Sequence, residues 1–353
     1  MTKMLIDEYL IHQNDYLLID VRCPGEHKKG NIPGSINIPL LNDEERKEIG
    51  TIYKQESKRA AIKRGLDFFG PKMRLIVDQI DLITHNTDLG QTPLQKIALY
   101  CWRGGMRSNI FGWLLNIYGY DVVIINGGYK SYRNWCINQF EKDYRFILIG
   151  GFTGTGKTNY ITKLVKKQVP IIDLEKLAKH KGSAFGGIGM GEQPSQEMFE
   201  NELAMLLFSF RNHGGFVIVE DESQRIGSVS IPQNLWEQMK KGYMVFISEN
   251  FDIRLGNIIN EYGKLDRSLI GAAVVRLQKK LGGLETKNCL GYLLNKDYVS
   301  CFSILLKYYD KLYTKSLENK RSLLSSYIEL KLEDNRDNNI QKLYNTVKKI
   351  LWT

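Results

Sequence analysis

Short apolar runs that end in polar turns divide the first part of the chain into alternating strands and helices. The runs YLLIDV (16–21), KIALY (96–100) and DVVIING (121–127) have the length of buried strands. Between the last two, the segment RSNIFGWLLNIYG has the apolar spacing of a helix that ends at Gly119. A strand, loop, helix and strand in this order form a βαβ unit, which predicts a parallel sheet.

A second series of the same kind starts at RFILIGG (145–151) and continues with the helical stretch KTNYITKLVKK. Three more strand-like runs follow, separated by helical stretches: VPIID, FVIVEDES and YMVFIS. From about residue 251 the pattern becomes helical and rich in Lys, Tyr and Leu. We therefore predict an α/β protein with an N-terminal parallel-sheet domain, a second α/β core and a basic helical C-terminal region, over residues 1–138, 139–250 and 251–353 respectively.

The charge of the chain indicates an anionic partner. The formal net charge is +10 and the isoelectric point is about 9.1. Over residues 251–353, 18 Lys and Arg stand against 11 Asp and Glu, so most of the excess positive charge is C-terminal. A nucleic acid, a phosphorylated substrate or a membrane surface would each explain this excess. A generally basic proteome would explain it as well.

The cysteines and the apolar runs indicate the compartment. The chain has five cysteines, an odd number, and no CxxC or Cys/His metal spacing. This argues against a disulfide framework and against a zinc site, and favours a reducing cytosol. The N-terminus does not resemble a signal peptide, and no apolar run approaches the roughly 18 residues of a membrane span. We therefore expect a cytoplasmic protein without a membrane partner.

The segment GFTGTGKT (151–158) predicts a phosphate-binding loop. It fits G-x-x-x-x-G-K-[ST] at every fixed position, follows a predicted strand and opens a predicted helix. In such a loop the backbone N–H groups and the helix N-terminus surround a polyphosphate, while the lysine contacts its terminal phosphates. The residues predicted to bind phosphate are Gly151, Gly154, Thr155, Gly156, Lys157 and Thr158.

Carboxylates and a glycine-rich segment accompany this loop. The run VIVEDES (217–223) brings Glu220, Asp221 and Glu222 to a strand end, where acidic residues of P-loop ATPases support Mg²⁺. Glu220 and Asp221 are the two predicted to support the metal. Thr158 would then hold the same ion. The same carboxylates would also fit plain ion pairs with nearby Lys and Arg. HKGSAFGGIGMGEQPSQ (180–196) holds five glycines and reads equally well as a substrate lid and as a surface loop.

The segment YCWRGGMRS (100–108) predicts a reactive thiol. Cys101 follows a strand and precedes a helix, so its sulfur is expected among backbone N–H groups, near Arg103 and Arg107. These surroundings lower the pKa of a thiol. A sulfur or selenium carrier, a phosphatase nucleophile and an inert buried thiol are the three interpretations. The Cys-x5-Arg spacing keeps the phosphatase open, because that arginine would clamp a phosphate bidentately.

Several segments carry a resemblance to known families. LIDVRCPGEHKKGNIPGSINIP (18–39) resembles the N-terminal signature of rhodanese-type domains, CWRGGMRS resembles their sulfur-carrying loop, and INGGYKSYR (125–133) resembles their closing segment. A rhodanese-like domain joined to a P-loop domain resembles the tRNA 2-selenouridine synthase family, and HKGSAFG, VEDESQRIG and RLQKKLGG add to that match. His27 and Asn31 depart from the usual aromatic and histidine of the first signature.

The resemblance implies two reactions on the wobble uridine of tRNA that already carries 2-thiouridine. In the first, geranyl diphosphate prenylates the sulfur; in the second, selenium from selenophosphate replaces the geranylthio group. The implied catalytic residues are Cys101, Arg103, Arg107 and Lys157. No firmly bound cofactor is expected, although Mg²⁺ fits the phosphate loop. Rhodanese-type sulfur transfer, a Cys-x5-Arg phosphatase fused to a P-loop kinase, and a non-enzymatic RNA-binding module remain alternatives.

Contacts with tRNA are expected from basic and aromatic residues. Trp102 adjoins Cys101 and would stack on an unpaired base, although a tryptophan at this position also fits a packed core. Lys279 and Lys280 would contact phosphates in the basic C-terminal region. The stretch 46–65, with seven Lys and Arg and Lys72 just beyond, would form either a basic face toward RNA or a solvated helix.

Overall fold

The computed structural model describes residues 2–85, 96–167, 169–333 and 336–351. The chain forms two compact units, Met1–Gln139 and Phe140–Thr353, each with its own sheet and core. Both sheets are parallel, so the predicted α/β class is confirmed. No helix in these described ranges has the length and apolar character required to cross a membrane.

The first unit contains a five-stranded parallel sheet in the order β1-β5-β4-β2-β3. The middle strand carries the apolar run KIALY, whose last four residues are buried. Parallel strands that are covered on both faces read as continuous apolar runs, as this one does. The strands are β1 (Thr2–Met4), β2 (Leu17–Asp20), β3 (Ile36–Asn37), β4 (Lys96–Tyr100) and β5 (Asp121–Ile125).

Helices follow each strand of this unit, and three of them form an insertion between β3 and β4. The insertion helices pack on a core that includes Ile80, Leu99 and Phe111. A capping box at Asn42 starts the first of them, because the Asn42 side chain and the Glu45 side chain bond each other's backbone N–H. The helices are α1 (Ile6–Ile11), α2 (Pro24–Lys29), α3 (Asp43–Gln55), α4 (Lys58–Phe69), α5 (Met73–His85), α6 (Met106–Tyr118) and α7 (Gly128–Phe140).

The second unit has a five-stranded parallel sheet, in the order β12-β11-β6-β8-β7, and a two-stranded antiparallel hairpin of β9 and β10. The strand that carries RFILIGG is again in the middle of the sheet. The strands are β6 (Arg145–Gly151), β7 (Ile171–Ile172), β8 (Phe216–Glu220), β9 (Arg225–Ile226), β10 (Val229–Ser230), β11 (Tyr243–Ser248) and β12 (Ser326–Lys331).

The helices of the second unit serve two cores. One core lies against the sheet and includes Ile149, Leu164 and Leu343; the other is formed mainly by helices and includes Ile270, Cys289 and Phe302. The helices are α8 (Lys157–Val165), α9 (Leu174–Ala178), α10 (Gln196–Ser209), α11 (Gln233–Lys240), α12 (Phe251–Tyr262), α13 (Arg267–Arg276), α14 (Gln278–Leu281), α15 (Gly283–Leu294), α16 (Tyr298–Arg321) and α17 (Arg336–Leu351).

The region after residue 251 differs in one respect from the helical pattern predicted for it. Strand β12 pairs in parallel with β11 along six register positions, from Tyr243 with Ser326 to Ser248 with Lys331. Helix α17 then places Leu343 and Val347 in the core against the sheet. The C-terminal segment therefore completes the sheet of the second unit, because β11 leaves an edge that needs a hydrogen-bonding partner.

Candidate active-site loops

Cys101 lies at the carboxyl end of the middle strand of the first unit. It directly follows β4, and the loop after it ends at Gly105, the N-cap of α6. The carboxyl ends of strands in an open parallel sheet are the usual position of a binding site. The position of Cys101 could therefore be predicted from the sequence, since the strand, the glycine loop and the helix start are all local features.

Two glycines allow the loop to turn tightly against the start of α7. Gly104 has a φ of +61°, and an added Cβ would lie 2.5 Å from the carbonyl oxygen of Ile125. Gly128 has a φ of +58°, and its Cβ would lie 2.2 Å from the carbonyl oxygen of Cys101. That carbonyl accepts a hydrogen bond of 2.8 Å from the backbone N–H of Tyr129. Side chains at these two positions would therefore push the loop away from its support.

The sulfur of Cys101 is surrounded by hydrogen-bond donors. The Ser108 hydroxyl donates to Sγ over 3.1 Å and the backbone N–H of Gly105 donates over 3.3 Å. Burial alone raises the pKa of this thiol, but the bonds from Ser108, the charge of Arg107 and the backbone N–H of Arg103 together hold the pKa below its usual value. The loop thus stabilises a buried thiolate.

Arg107 is engaged by a carboxylate. Its guanidinium donates to both oxygens of Glu26, over 2.6 and 3.3 Å. Glu26 also accepts a bond of 3.1 Å from the Cys23 thiol, whose pKa burial raises to about 12. Arg107 therefore acts on Cys101 as a fixed nearby charge, and its bidentate face, which a phosphatase would turn toward phosphate, is directed at Glu26.

The neighbouring Trp102 and Arg103 side chains point outward. Trp102 is 39% exposed, and its ring centroid lies 5.7 Å from that of Tyr129. The Arg103 side chain is exposed, and its backbone N–H is what acts on the pKa of Cys101. The Trp102 ring thus contacts Tyr129 while more than a third of the residue is accessible to solvent.

The two unusual residues of the first signature have structural contacts. His27 Nδ1 lies 2.9 Å from Oδ2 of Asp20, and Asn31 donates to the His27 carbonyl over 3.2 Å. Asp20 is fully buried and also binds the guanidinium of Arg22, which lies 3.9 Å from the Tyr129 ring centroid. These residues therefore tie α2 to the strand that precedes it.

The predicted phosphate loop has the expected geometry in the second unit. It follows the middle strand β6, and Gly156 is the N-cap of α8. Gly154 and Gly156 have φ values of +82° and +81°, which only glycine adopts readily. The Lys157 ammonium donates to the Gly151 carbonyl over 2.7 Å, and the Thr155 hydroxyl donates to the Phe152 carbonyl over 2.5 Å. The strand, glycines and helix start therefore produce the anion-binding arrangement that the motif predicts.

Residues far along the chain hold this loop in place. Asn257 donates to the Gly154 carbonyl over 2.9 Å, and Arg254 donates to the Thr153 carbonyl over 3.1 Å. Arg254 is in turn fixed by a bidentate pair with Asp310, over 2.9 and 2.8 Å. The carbonyls of Thr153 and Gly154 are thereby tied to α12.

The two carboxylates predicted at the end of β8 have separate roles. Asp221 accepts hydrogen bonds from Tyr313 over 2.6 Å and from Lys320 over 2.7 Å, so it ties α16 to the sheet. Glu220 is fully buried, and neither of its carboxylate oxygens has a hydrogen-bond partner among the described residues. Of the two predicted residues, Glu220 is therefore the one whose carboxylate oxygens could act as metal ligands.

Two further glutamates join Glu220. Ligand oxygens of Glu175, Glu220 and Glu222 all lie within 4.8 Å of one another. Burial and then the charge of Glu175 raise the pKa of Glu220 well above its usual range and that of Glu222 to about 8. The Thr158 hydroxyl lies 3.4 Å from Glu175, which links this cluster to the phosphate loop. The set of carboxylates and a hydroxyl fits the oxygen ligands that Mg²⁺ prefers.

The remaining predicted segments lie on the surface of the second unit. The glycine-rich stretch from 180 to 196 forms turns between α9 and α10 and lines an open cavity together with Arg225 and Arg276. Lys279 and Lys280 are exposed on the short helix α14. Both sets are therefore accessible to a large polyanion.

Three residues of these sites were not singled out from the sequence: Ser108, Glu26 and Glu175. The role of Ser108 could have been predicted locally. Ser108 belongs to the segment YCWRGGMRS, and its position in the first turn of α6 places it beside Cys101. No local pattern indicates the role of Glu26, because its partner Arg107 is 81 positions away. Glu175 opens a helix that the strand-based pattern did not identify.

Comparison with known proteins covers both units. A family described as rhodanese-like domain matches residues 7–134, and one described as tRNA 2-selenouridine synthase AAA domain matches residues 144–331. A protein named tRNA 2-selenouridine synthase from Nitrosomonas eutropha is 39% identical over 70% of this chain and 63% of its own length. Proteins of the same name from Nitrosomonas europaea and Bdellovibrio bacteriovorus are 34% and 32% identical, over 87% and 88% of this chain and 90% and 91% of theirs.

Proposed function

The chain belongs to the tRNA 2-selenouridine synthase family, and from this premise we propose that it converts 2-thiouridine at the wobble position of tRNA to 2-selenouridine. It is an enzyme of that kind. The observation that supports the chemistry best is the sulfur of Cys101, which accepts hydrogen bonds from Ser108 and Gly105 on a chain that also carries a phosphate loop. We place this activity in the cytoplasm, with tRNA as the macromolecular substrate.

The first half-reaction that we propose is S-geranylation with geranyl diphosphate. The thiocarbonyl sulfur of the base attacks the allylic carbon, the carbon–oxygen bond to diphosphate breaks, and N3 of the base releases its proton. Negative charge develops on the leaving oxygens, so donors fixed in advance lower the barrier. Lys157, the backbone N–H groups of the loop and Thr158 supply such donors, and the positive φ values of Gly154 and Gly156 support that arrangement.

Mg²⁺ is the metal that we propose for this step. Thr158, Glu175, Glu220 and Glu222 would hold it, and the unpartnered buried oxygens of Glu220 support the assignment. When bound, the ion neutralises charge on a diphosphate. The carboxylates alone would repel that diphosphate, so their presence beside a phosphate loop is consistent with a cation between the two.

The second half-reaction that we propose replaces the geranylthio group with selenium from selenophosphate. The loop around Cys101 holds and protects the selenium at the selenide level during delivery, without a sulfur–selenium bond, and Arg103 and Arg107 balance its charge. The lowered pKa of Cys101 supports this role, because a soft anion of selenium needs the same donors as a thiolate. The engagement of Arg107 with Glu26 argues against a Cys-x5-Arg phosphatase in the same loop.

In this proposal, basic side chains of the chain bind the phosphates of tRNA. Lys279 and Lys280 contact phosphates, and Trp102 stacks on the unpaired wobble base. Replacing both lysines with alanine should reduce the slope of log affinity against log salt by about 2, because each phosphate contact contributes about 0.9. The double Lys-to-Arg replacement is the matched control and should retain the slope. An unchanged slope in the alanine variant would place the RNA elsewhere.

The experiment that tests the function compares wobble nucleosides by mass spectrometry in tRNA from cells with and without this protein. We expect 2-selenouridine and S-geranyl-2-thiouridine only where the protein is present. The purified chain, given 2-thiouridine tRNA, geranyl diphosphate and selenophosphate, should form both in that order. Unchanged selenium and geranyl contents in both comparisons would contradict the proposal, and stoichiometric ATP turnover would favour a P-loop kinase instead.

A further inference from the structure

The first unit contains an apolar cavity that begins where the thiol loop ends. It has a volume of about 220 Å³ and lies between α3, α4 and the first turn of α6. Met106 and Arg107 belong to its wall, and they directly follow Gly105, whose N–H donates to the sulfur of Cys101. The cavity and the sulfur therefore share one short segment of backbone.

The lining of the cavity selects for hydrocarbon. Of its thirteen residues only Lys58 and Arg107 carry a charge, and the Arg107 guanidinium is turned toward Glu26. The others are aliphatic or aromatic side chains and one glycine. An apolar cavity of about 150 Å³ is large enough to bind benzene. A cavity of about 220 Å³ thus accepts a hydrocarbon longer than six carbons.

The cavity opens onto a surface with exposed apolar side chains. Tyr53, Leu66 and Met106 line it while being 58%, 53% and 47% exposed. A second apolar recess of about 490 Å³ shares Leu66 with it and continues to Trp113, which is 50% exposed. Apolar side chains that cluster at the surface mark a binding site for an apolar group.

The charged side chains in the wall of the cavity are both basic. Lys58 and Arg107 line it, and its thirteen lining residues include no carboxylate. A free hydrocarbon would gain nothing from these charges, whereas a hydrocarbon attached to a polyanion would. An apolar cavity whose charged wall residues are both basic fits an apolar chain carried by RNA.

We propose that this cavity holds the geranyl group of an S-geranylated tRNA base while the Cys101 loop delivers selenium to that base. The inference rests on the two-step function proposed above and assigns the second step to the first unit. The cavity holds the apolar leaving group, which directs C2 of the base toward the sulfur loop. Binding of the ten-carbon chain also explains how the enzyme distinguishes the geranylated base from the 2-thiouridine that precedes it.

The bonds in this step balance without an oxidant or reductant. The carbon–selenium bond forms at C2 of the base, the carbon–sulfur bond breaks, and its electron pair leaves with the geranylthiolate. The thiolate takes a proton and departs as geranyl thiol, while N3 of the base regains its proton. Water cleaves the phosphorus–selenium bond of selenophosphate, so phosphate is the remaining product.

The test measures binding of two anticodon stem-loop RNAs to the full chain. One RNA carries S-geranyl-2-thiouridine and the other carries S-methyl-2-thiouridine at the same position. We expect the native protein to bind the geranylated RNA at least about tenfold more tightly, because only that RNA buries a long apolar chain. Leu66→Asn should remove about tenfold of this preference, since it makes part of the cavity wall polar.

Matched variants separate the cavity from general effects on folding. Leu82→Asn is the control, because Leu82 is also largely exposed, at 61%, but lies on α5 outside the cavity. Tyr53→Ser, on the facing helix, should repeat the effect of Leu66→Asn. Both cavity variants should slow selenation of the geranylated RNA and leave that of the methylated RNA unchanged, with native circular dichroism.

Three results would overturn the inference. These are equal affinity of the native protein for the two RNAs, a Leu66→Asn protein that behaves like Leu82→Asn, and an equal loss of affinity for both RNAs. Failure of the proposed function looks different: the native protein would then form neither S-geranyl-2-thiouridine nor 2-selenouridine. The binding comparison still reports on the cavity in that case, because it requires no turnover.

Discussion

The thiol loop and the phosphate loop use the same backbone arrangement in different electrostatic surroundings. Each follows the middle strand of a five-stranded parallel sheet, turns through glycines with positive φ, and enters a helix whose N-cap is a glycine, Gly105 or Gly156. Both therefore present backbone N–H groups to an anion. What distinguishes them is the set of side chains that distant segments bring to each loop.

Around the thiol loop, the sulfur and the nearby Arg107 both have partners. Ser108 and Gly105 donate to the sulfur, and Arg107 pairs with Glu26. Around the phosphate loop, Glu220 has no partner among the described residues and adjoins Glu175 and Glu222. At the first loop the anion is the Cys101 sulfur itself, whereas at the second a cluster of three carboxylates lies near Lys157. A shared backbone arrangement thus favours anions in general, and the surrounding side chains decide which anion and whether a cation accompanies it.

The largest expected effect tests whether the two loops divide the chemistry. Cys101→Ser should abolish selenium incorporation and leave geranylation unchanged, because the nucleophile in geranylation belongs to the tRNA. The measurement is mass analysis of both products from 2-thiouridine tRNA, geranyl diphosphate and selenophosphate. Cys23→Ser is the control and should retain both reactions, since Cys23 stays a neutral thiol with its pKa raised to about 12 by burial. Loss of geranylation in a natively folded Cys101→Ser protein would show that the two loops do not act in separate reactions.

A smaller but still large effect is expected at the phosphate loop. Lys157→Ala should lower the rate of geranylation about 10²–10³-fold, the cost of removing one donor to a developing oxyanion. If selenophosphate also uses this loop, selenation of a previously geranylated RNA should weaken as well. Lys166→Ala, at the end of the same helix and exposed, is the matched control. Equal rates for these two variants would show that the loop does not bind the leaving diphosphate.

The third prediction concerns the carboxylate cluster beside the phosphate loop. Millimolar Mg²⁺ should raise the melting temperature of the native protein by about 2–4 °C for each kcal/mol of binding. In Glu220→Gln this increase should disappear, because a ligand oxygen is replaced by a neutral amide. Asp221→Asn is the informative control, since Asp221 bonds Tyr313 and Lys320 and lies outside the carboxylate cluster. It should lower stability yet retain the response to Mg²⁺, and a retained response in Glu220→Gln would contradict the metal assignment.

The smallest expected effect concerns the donors of the thiol loop. Ser108→Ala should raise the pKa of Cys101, because burial still opposes the charged form while the variant loses a hydrogen bond that stabilises the thiolate. The pKa of the native thiol lies below its usual value, so alkylation of Cys101 should reach its half-maximal rate at a lower pH than a free thiol does. The measurement is the pH profile of iodoacetamide labelling of the peptide that contains Cys101. An unchanged midpoint in Ser108→Ala would show that backbone N–H groups alone stabilise the thiolate.

The sequence by itself determined the two parallel-sheet regions, the positions of both loops and the glycines that shape them. These features depend on local spacing: apolar runs of strand length, glycines at fixed offsets and a helix start directly afterwards. It also indicated Cys101 and Lys157, since each occupies a fixed place in its loop. The strand at 326–331 was not predicted from the sequence, because its conformation depends on pairing with the free edge of β11.

Only the tertiary structure decided which side chains complete each site. Glu26 and Arg107 meet across 81 positions, and Glu175 reaches Glu220 from a helix on the neighbouring connection. The adjacent residues Glu220 and Asp221 look alike in the sequence, yet only Asp221 meets the Tyr313 and Lys320 side chains of α16. Local periodicity fixes backbone conformation, whereas the partner of a polar side chain depends on which remote element packs beside it. For that reason the sequence located both loops, and the fold determined their charge.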